Sequence, residues 1–165
     1  MIIHNLPPFS KTKTCSVTGH REIGENFNFE QLKNELLAIY KKDYDLFLIG
    51  MAKGFDTLCF KALRELKKDY PDIKICAVIP CANQDRYLSV SEREEYAEMI
   101  ENADFIAREE RPYFKGCMLI RNDFLVQNCS LLYAYLQDGK KGGTYYTVKK
   151  ATSSAVPVLY YGEVK

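Results

Sequence analysis

Histidine is scarce in this chain, with only His4 and His20 among 165 residues, and neither stands at a spacing that would join the cysteines in a metal site. Cys76 and Cys81 lie close in sequence but lack further ligands at zinc-binding intervals, so no metal and no cofactor is expected. The chain also lacks an excess of either charge: 23 Lys and Arg against 22 Asp and Glu leave a formal net charge of +1. No global field is available to hold a polyanion, and nucleic acid would need a local basic patch. The lysine pairs at 41–42, 67–68, 140–141 and 149–150 read as solvated faces or helix ends, and only Lys140 and Lys141 lie beside a motif. No stretch approaches the ~18 consecutive apolar residues of a membrane span. The opening segment has neither the basic start nor the apolar run of a secretory signal. These absences predict a soluble, cytoplasmic protein with no membrane partner. Low-complexity tracts and internal repeats are missing too, which argues against disorder beyond the ends.

What is present is the composition of a globular protein, 47% hydrophobic and 27% charged. A chain of this length is the size of one domain and buries roughly 70% of the surface that it would expose unfolded. The six cysteines are irregularly spaced and read as reduced thiols, with Cys59, Cys76 and Cys129 in apolar patterns that belong in a core.

After a proline-bearing arm, Thr14 to Thr18 reads as a short strand. Asn28, with Gln31 three residues on, opens a helix whose apolar positions Phe29, Leu32, Leu36 and Tyr40 recur at helical spacing. "DLFLIG", Asp45 to Gly50, is apolar on both sides, as a central parallel strand must be. A helix over 56–70 follows it with Cys59, Ala62, Leu63 and Leu66 on one face. Ile73 to Pro80 is a third strand, and Ser91 with Glu94 predicts a capping box for a helix carrying Tyr96, Met99 and Ile100. A fourth strand is expected over 103–107, a helix over 116–128, a strand over 131–136, a helix over 144–154 and a last strand in "VPVLYY". Strands alternating with helices through short connections predict an α/β fold. The expected domain, over 14–165 behind an arm at 1–13, is a single doubly wound, mainly parallel, Rossmann-like sheet with helices on both faces.

In such sheets the binding crevice lies beyond the carboxyl ends of the strands. Three sharp breaks fall there: "TGHR" after the first strand, "GMAKGFD" after the second and "DGKKGGT" after the fifth. Six of the nine glycines, Gly19, Gly50, Gly54, Gly139, Gly142 and Gly143, lie in these turns, where the lack of a Cβ admits tight turns or a ligand. The helix starts at "GFD" and "GGT" are suited to phosphate or another anion, while Asp56 also reads as a plain helix cap. Arg21 offers a permanently charged fork for phosphate or carboxylate, or else a surface salt bridge with Glu22 or Glu25. His20 could bond a base or ribose, or serve as a structural imidazole. Arg121, inside an otherwise apolar helix and beside Asn122, must meet either a ligand or a buried carboxylate, with Asp56, Asp104 and Asp138 as candidates.

The ordered set "TGHR", "GMAKGFDT", "RND" and "GGT" resembles the SLOG superfamily of Rossmann-like proteins, which includes the DNA-processing protein DprA and the LOG phosphoribohydrolases. The resemblance covers about residues 14 to 161 and is nearest to the YpsA-like branch of small bacterial proteins. It implies a domain of bacterial or phage type that binds a nucleotide or a nucleotide-derived small molecule, as a sensor or regulatory module. The matching positions are Thr18, Gly19, His20 and Arg21 in the first loop, and Gly50, Lys53, Gly54 and Asp56 in the second. Arg121 and Asn122 follow, then Gly142, Gly143 and Thr144; Gln84, after "PCAN", is a weaker match. The phosphoribohydrolases carry a catalytic glutamate in G-G-x-G-T-x-x-E, and the corresponding position here is Thr147, which argues against that enzyme. Alternatives are a nucleotide-processing N-glycosidase or transferase, with Asp56 or Asp138 as its carboxylate and His20 assisting, and a single-stranded DNA-binding accessory of DprA type. The balanced charge disfavours nucleic acid as a partner, and a homo-oligomer is left open.

Overall fold

A computed structural model describes residues 2–4 and 6–165. The alternation read from the sequence is present in full. Strands β1 (Ile3–His4), β2 (Thr14–Gly19), β3 (Leu46–Ile49), β4 (Lys74–Ile79), β5 (Phe105–Arg108), β6 (Leu131–Tyr135) and β7 (Val158–Tyr160) form one sheet in the order β1-β5-β4-β3-β2-β6-β7. Every neighbouring pair is parallel except β1 with β5, where Ile3 faces Arg108 and His4 faces Ala107 at the edge. The helices are α1 (Phe29–Lys41), α2 (Phe55–Lys67), α3 (Val90–Asn102), α4 (Cys117–Gln127) and α5 (Gly143–Ser153).

Side chains alternate across the sheet, and the two faces make separate cores. Cys15, Val17, Phe47, Ile49, Ile75, Ala77 and Tyr133 pack with Leu32, Leu36, Phe60, Leu63, Tyr96 and Met99 from α1, α2 and α3. The other face is smaller: Leu46, Leu48, Cys76 and Val78 meet Leu125, while Leu132 and Ala134 meet Val148 and Ala151. Ser16, on that second face, donates to the carbonyl of Leu125 at 2.7 Å, so the one hydroxyl in the middle of β2 is satisfied by α4. The strand order reverses between β2 and β6, and the crevice of a doubly wound sheet opens at such a point.

Two caps show how far local pattern carries. Asn28 caps α1, its side chain accepting from the Gln31 N–H at 2.9 Å. At α3 the expected box Ser91/Glu94 is corrected to Ser89/Glu92, with the Glu92 N–H donating to Ser89 Oγ at 3.2 Å and the Ser89 N–H to Glu92 Oε1 at 2.9 Å. "SVSEREE" offers two S-x-x-E registers. The earlier one lets Arg93 reach back to the carbonyls of Asp85 (3.2 Å) and Arg86 (2.9 Å), tying down the preceding loop.

Candidate functional site

At the β2/β6 reversal a cleft of about 420 Å³ is lined by the end of β2 and its loop (Val17 to Glu22), by Ala52 and Asp56, by one face of α4, and by Lys140, Gly143 and Thr144. Nine of the residues expected from the sequence meet there: Thr18, Gly19, His20, Arg21, Asp56, Arg121, Asn122, Gly143 and Thr144. Met118 and Leu125 complete the α4 wall. With Arg121 and Asn122 they follow the i, i+3, i+4, i+7 spacing of one helix face, a signal already present in the sequence. Glu22, Ala52 and Lys140 are further lining residues that motif reading did not place in the site.

The remaining expected residues do not line the cleft. At Gly50 and Gly54 the missing Cβ makes room for protein rather than for ligand. At Gly50 a Cβ would come within 2.6 Å of Arg121 Nη1; at Gly54, whose φ of 88° itself favours glycine, it would strike the carbonyls of Arg21 and His20. Gly19 is filled likewise by the Phe55 ring. Lys53 points elsewhere, 3.7 Å from Glu92. Gln84 sits behind the wall, donating to the Gly50 carbonyl at 2.9 Å and accepting from the Tyr96 hydroxyl at 2.8 Å. Gly142 is the N-cap of α5 in an extended conformation with open space around it.

Of the two helix starts expected to hold an anion, α2 is already engaged: the Phe55 N–H donates to the His20 carbonyl at 3.1 Å, and the Asp56 carboxylate stands in the first turn. The start of α5 has no side-chain cap and opens at Gly143 and Thr144 onto the cleft. The loop carrying Arg21 is fixed from beneath. The Gly24 N–H donates to the Tyr135 hydroxyl at 3.0 Å, and Phe27 stacks on Tyr161 with ring centroids 4.4 Å apart. None of the ion pairs formed among the described residues involves Arg21, so neither Glu22 nor Glu25 neutralises it.

His20 is part of the scaffold through one nitrogen: Nε2 accepts from the Gln137 N–H at 2.8 Å, which leaves the proton of the neutral ring on Nδ1. Burial, with Lys140 adding repulsion, lowers the His20 pKa and favours the neutral ring.

Arg121 and Asp56 form the electrostatic centre. Arg121 is 7% exposed, and its guanidinium is held by carbonyls rather than by a carboxylate. Nη1 donates to Gly50 O and, at 3.4 Å, to Val78 O, while Nε donates to Asn122 Oδ1 at 2.9 Å. Asp104 is taken by Lys67 at 2.6 Å, and Asp138 lies outside the cleft, so neither candidate partner meets the arginine. Asp56 is 5% exposed. Met51, buried in the left-handed region at φ 63°, turns the chain so that the Ala52 N–H donates to Asp56 Oδ2 at 3.1 Å. Asp56 Oδ1 is the buried side-chain polar atom that has no hydrogen-bond partner among the described residues. Burial pushes this carboxyl up to about 6, against the opposing pull of Arg121, the Ala52 N–H and Arg21. The cleft thus sets three cations, Arg21, Arg121 and Lys140, and an open helix start against Glu22 and a carboxyl that is itself hard to ionise. It offers an anion subsite next to one buried acceptor. Among the described residues no cluster of His, Cys, Asp or Glu could hold a metal ion, and no helix is long and apolar enough to cross a membrane.

A doubly wound sheet with its polar cleft at the strand reversal defines a Rossmann-like domain. The chain belongs to the YspA SLOG family, whose model matches residues 17–160. It is 24% identical over 143 residues to a UPF0398 protein of Halalkalibacterium halodurans, covering 86% of this chain and 76% of that one. It is 25% identical over 135 residues to the UPF0398 protein YpsA of Bacillus subtilis, covering 78% and 75%. Among solved structures it is similar to the DNA processing protein A of Streptococcus pneumoniae, with a TM-score of 0.67 at 19% identity, over 91% of this chain and 50% of that one. The Helicobacter pylori protein of the same name, studied for its single-stranded DNA binding mode, gives a TM-score of 0.65 at 18% identity, over 91% and 65%. The chain therefore spans half to two thirds of these larger proteins, and the likeness is one of fold.

Proposed function

We propose that the cleft binds a phosphorylated, nucleotide-derived small molecule and that the domain acts as a sensor or regulatory module for it. The observation that carries this reading is that Asp56, which lines the cleft, has a buried carboxylate oxygen, Oδ1, with no hydrogen-bond partner among the described residues. A buried polar atom left unbonded costs about 1–3 kcal/mol, and a ligand hydroxyl or amino group would remove that cost. The phosphate of the same ligand takes the start of α5, with Arg21 and Lys140 at its sides.

Three observations favour binding over hydrolysis, although Asp56 and His20, two of the groups named for catalysis, do line the cleft. Thr147 is fully buried, and its hydroxyl donates to the Gly143 carbonyl at 2.7 Å. Asp138 lines a neighbouring groove, and His20 Nε2 is occupied by Gln137.

A thermal-shift panel of nucleoside phosphates, nucleotide sugars and an oligothymidylate tests the reading, because a ligand at 100 times its Kd adds about 2.7 kcal/mol of stability. A phosphorylated nucleoside derivative should raise Tm for the wild type and much less for Asp56→Asn. A panel in which only the oligonucleotide shifts Tm would replace this reading with the DNA-binding one.

A further inference from the structure

A second groove, of about 490 Å³, lies across the 137–142 loop from the cleft. Its lining includes the rings of Tyr145, Tyr160 and Tyr161, the carboxylates of Asp138 and Glu163, and Lys140, which lines the cleft as well. Tyr145 follows directly on Gly143 and Thr144, so the helix start that faces the cleft on one side carries the aromatic wall of the groove on the other.

From this juxtaposition we propose that the cleft and the groove are two halves of one site for a ligand with two nucleoside-like parts joined through phosphate. The inference rests on the nucleotide reading of the cleft and assigns the groove to the second part. Three observations favour that occupant. The linking phosphate would sit where positive charge is shared, between Lys140 and the uncapped start of α5. Each cavity falls in the size range of small-molecule pockets, which begins at about 300 Å³, and the two are separated by a single loop. The groove has the chemistry for a base and a sugar: Tyr145 for stacking, with carboxylates to accept from ribose hydroxyls or an exocyclic amine. Tyr145 already attracts cations, with Lys149 Nζ 5.5 Å and Lys141 Nζ 6.0 Å from its ring centroid. Gly139 and Gly142 in the intervening loop have no neighbouring atom within 4 Å of where a Cβ would stand.

Calorimetric titration of AMP and of diadenosine diphosphate into wild type, Tyr145→Ala and Tyr145→Phe tests the inference. The two-part ligand is expected to bind more tightly than AMP by about 5- to 100-fold, the range for one stacked base. Tyr145→Ala should remove that advantage while changing AMP affinity less than about twofold, and Tyr145→Phe should keep it. Equal affinities for the two ligands, or an equal loss of both in Tyr145→Ala, would overturn the two-part site and leave the cleft reading standing. Failure of both nucleotides to bind the wild type would overturn the two-part site, while the cleft reading is decided by the thermal-shift panel.

Discussion

The guanidinium of Arg121 holds the carbonyl of Gly50, and nothing larger than hydrogen fits at Gly50 while it does so: a Cβ there would lie 2.6 Å from Arg121 Nη1. Gln84 holds the same carbonyl from the other side at 2.9 Å, and Tyr96 orients Gln84. A buried cation is thereby kept at the cleft by backbone dipoles, and its charge is not cancelled by a touching carboxylate.

Gly50→Ala should therefore act on the site as well as on stability. Forcing a methyl group against the guanidinium is expected to cost about 1–3 kcal/mol and to displace Arg121. Urea denaturation reads the first effect and ligand titration the second. An unchanged midpoint with unchanged affinity would mean that Arg121 moves aside freely and that its contact with Gly50 does not position it.

Asp56 predicts a trade between stability and binding. Its carboxyl is displaced from an ordinary value of 3.8 to about 6, so between those values the folded chain holds the proton more tightly than the unfolded chain. Stability from this group is present below pH ~4 and is lost as pH rises through ~6. Asp56→Asn mimics the protonated form and keeps an acceptor for the Ala52 N–H. It should be more stable than wild type at pH 7.5, by roughly 1–3 kcal/mol, with the two curves converging toward pH 4. The same variant should bind ligand about 10- to 100-fold more weakly at pH 7.5, the scale of a hydrogen bond to a charged group. A variant less stable than wild type at pH 7.5 would show that Asp56 is a structural anchor.

The protein should not release free base from nucleoside monophosphates at the rate of a dedicated phosphoribohydrolase. General acid or base assistance is typically worth 10² to 10⁴-fold, and Thr147, buried and bonded to Gly143, supplies neither. Chromatography of the incubated nucleotides checks this. Robust release that is lost in Asp138→Asn and kept in Thr147→Ala would install an enzyme in place of the binding module.

The order of elements was legible because each leaves its own local signature: period-two or fully apolar runs for strands, 3.6-residue spacing for α1 and α2, and glycine at the breaks. The helix face of Met118, Arg121, Asn122 and Leu125 was equally legible as spacing, although its direction toward the cleft was set by packing of α4 on β2. What could not be read was the use of each polar group. Arg121 needed a partner, and its actual partners are carbonyls of Gly50 and Val78, which have no identity in a sequence. Gly50 and Gly54 looked like places for a ligand and are places for Arg121 and for the first loop. Lys53 sits in the motif, in the turn before α2, but faces Glu92 on α3, a contact fixed only when that turn and α3 come together.

Arg21 gives the most direct test of the cleft as a phosphate site, because it is exposed, forms none of the ion pairs among the described residues and stands on a loop anchored by Tyr135 and Phe27. The measurement is calorimetric titration of the best phosphorylated nucleoside from the thermal-shift panel into wild type and Arg21→Ala. The expected result is a loss of about 1.5–3 kcal/mol in binding, the scale of a charge-assisted hydrogen bond, with an unchanged circular dichroism spectrum and melting temperature. Equal affinity in the two proteins would contradict the assignment of the cleft to a phosphorylated ligand.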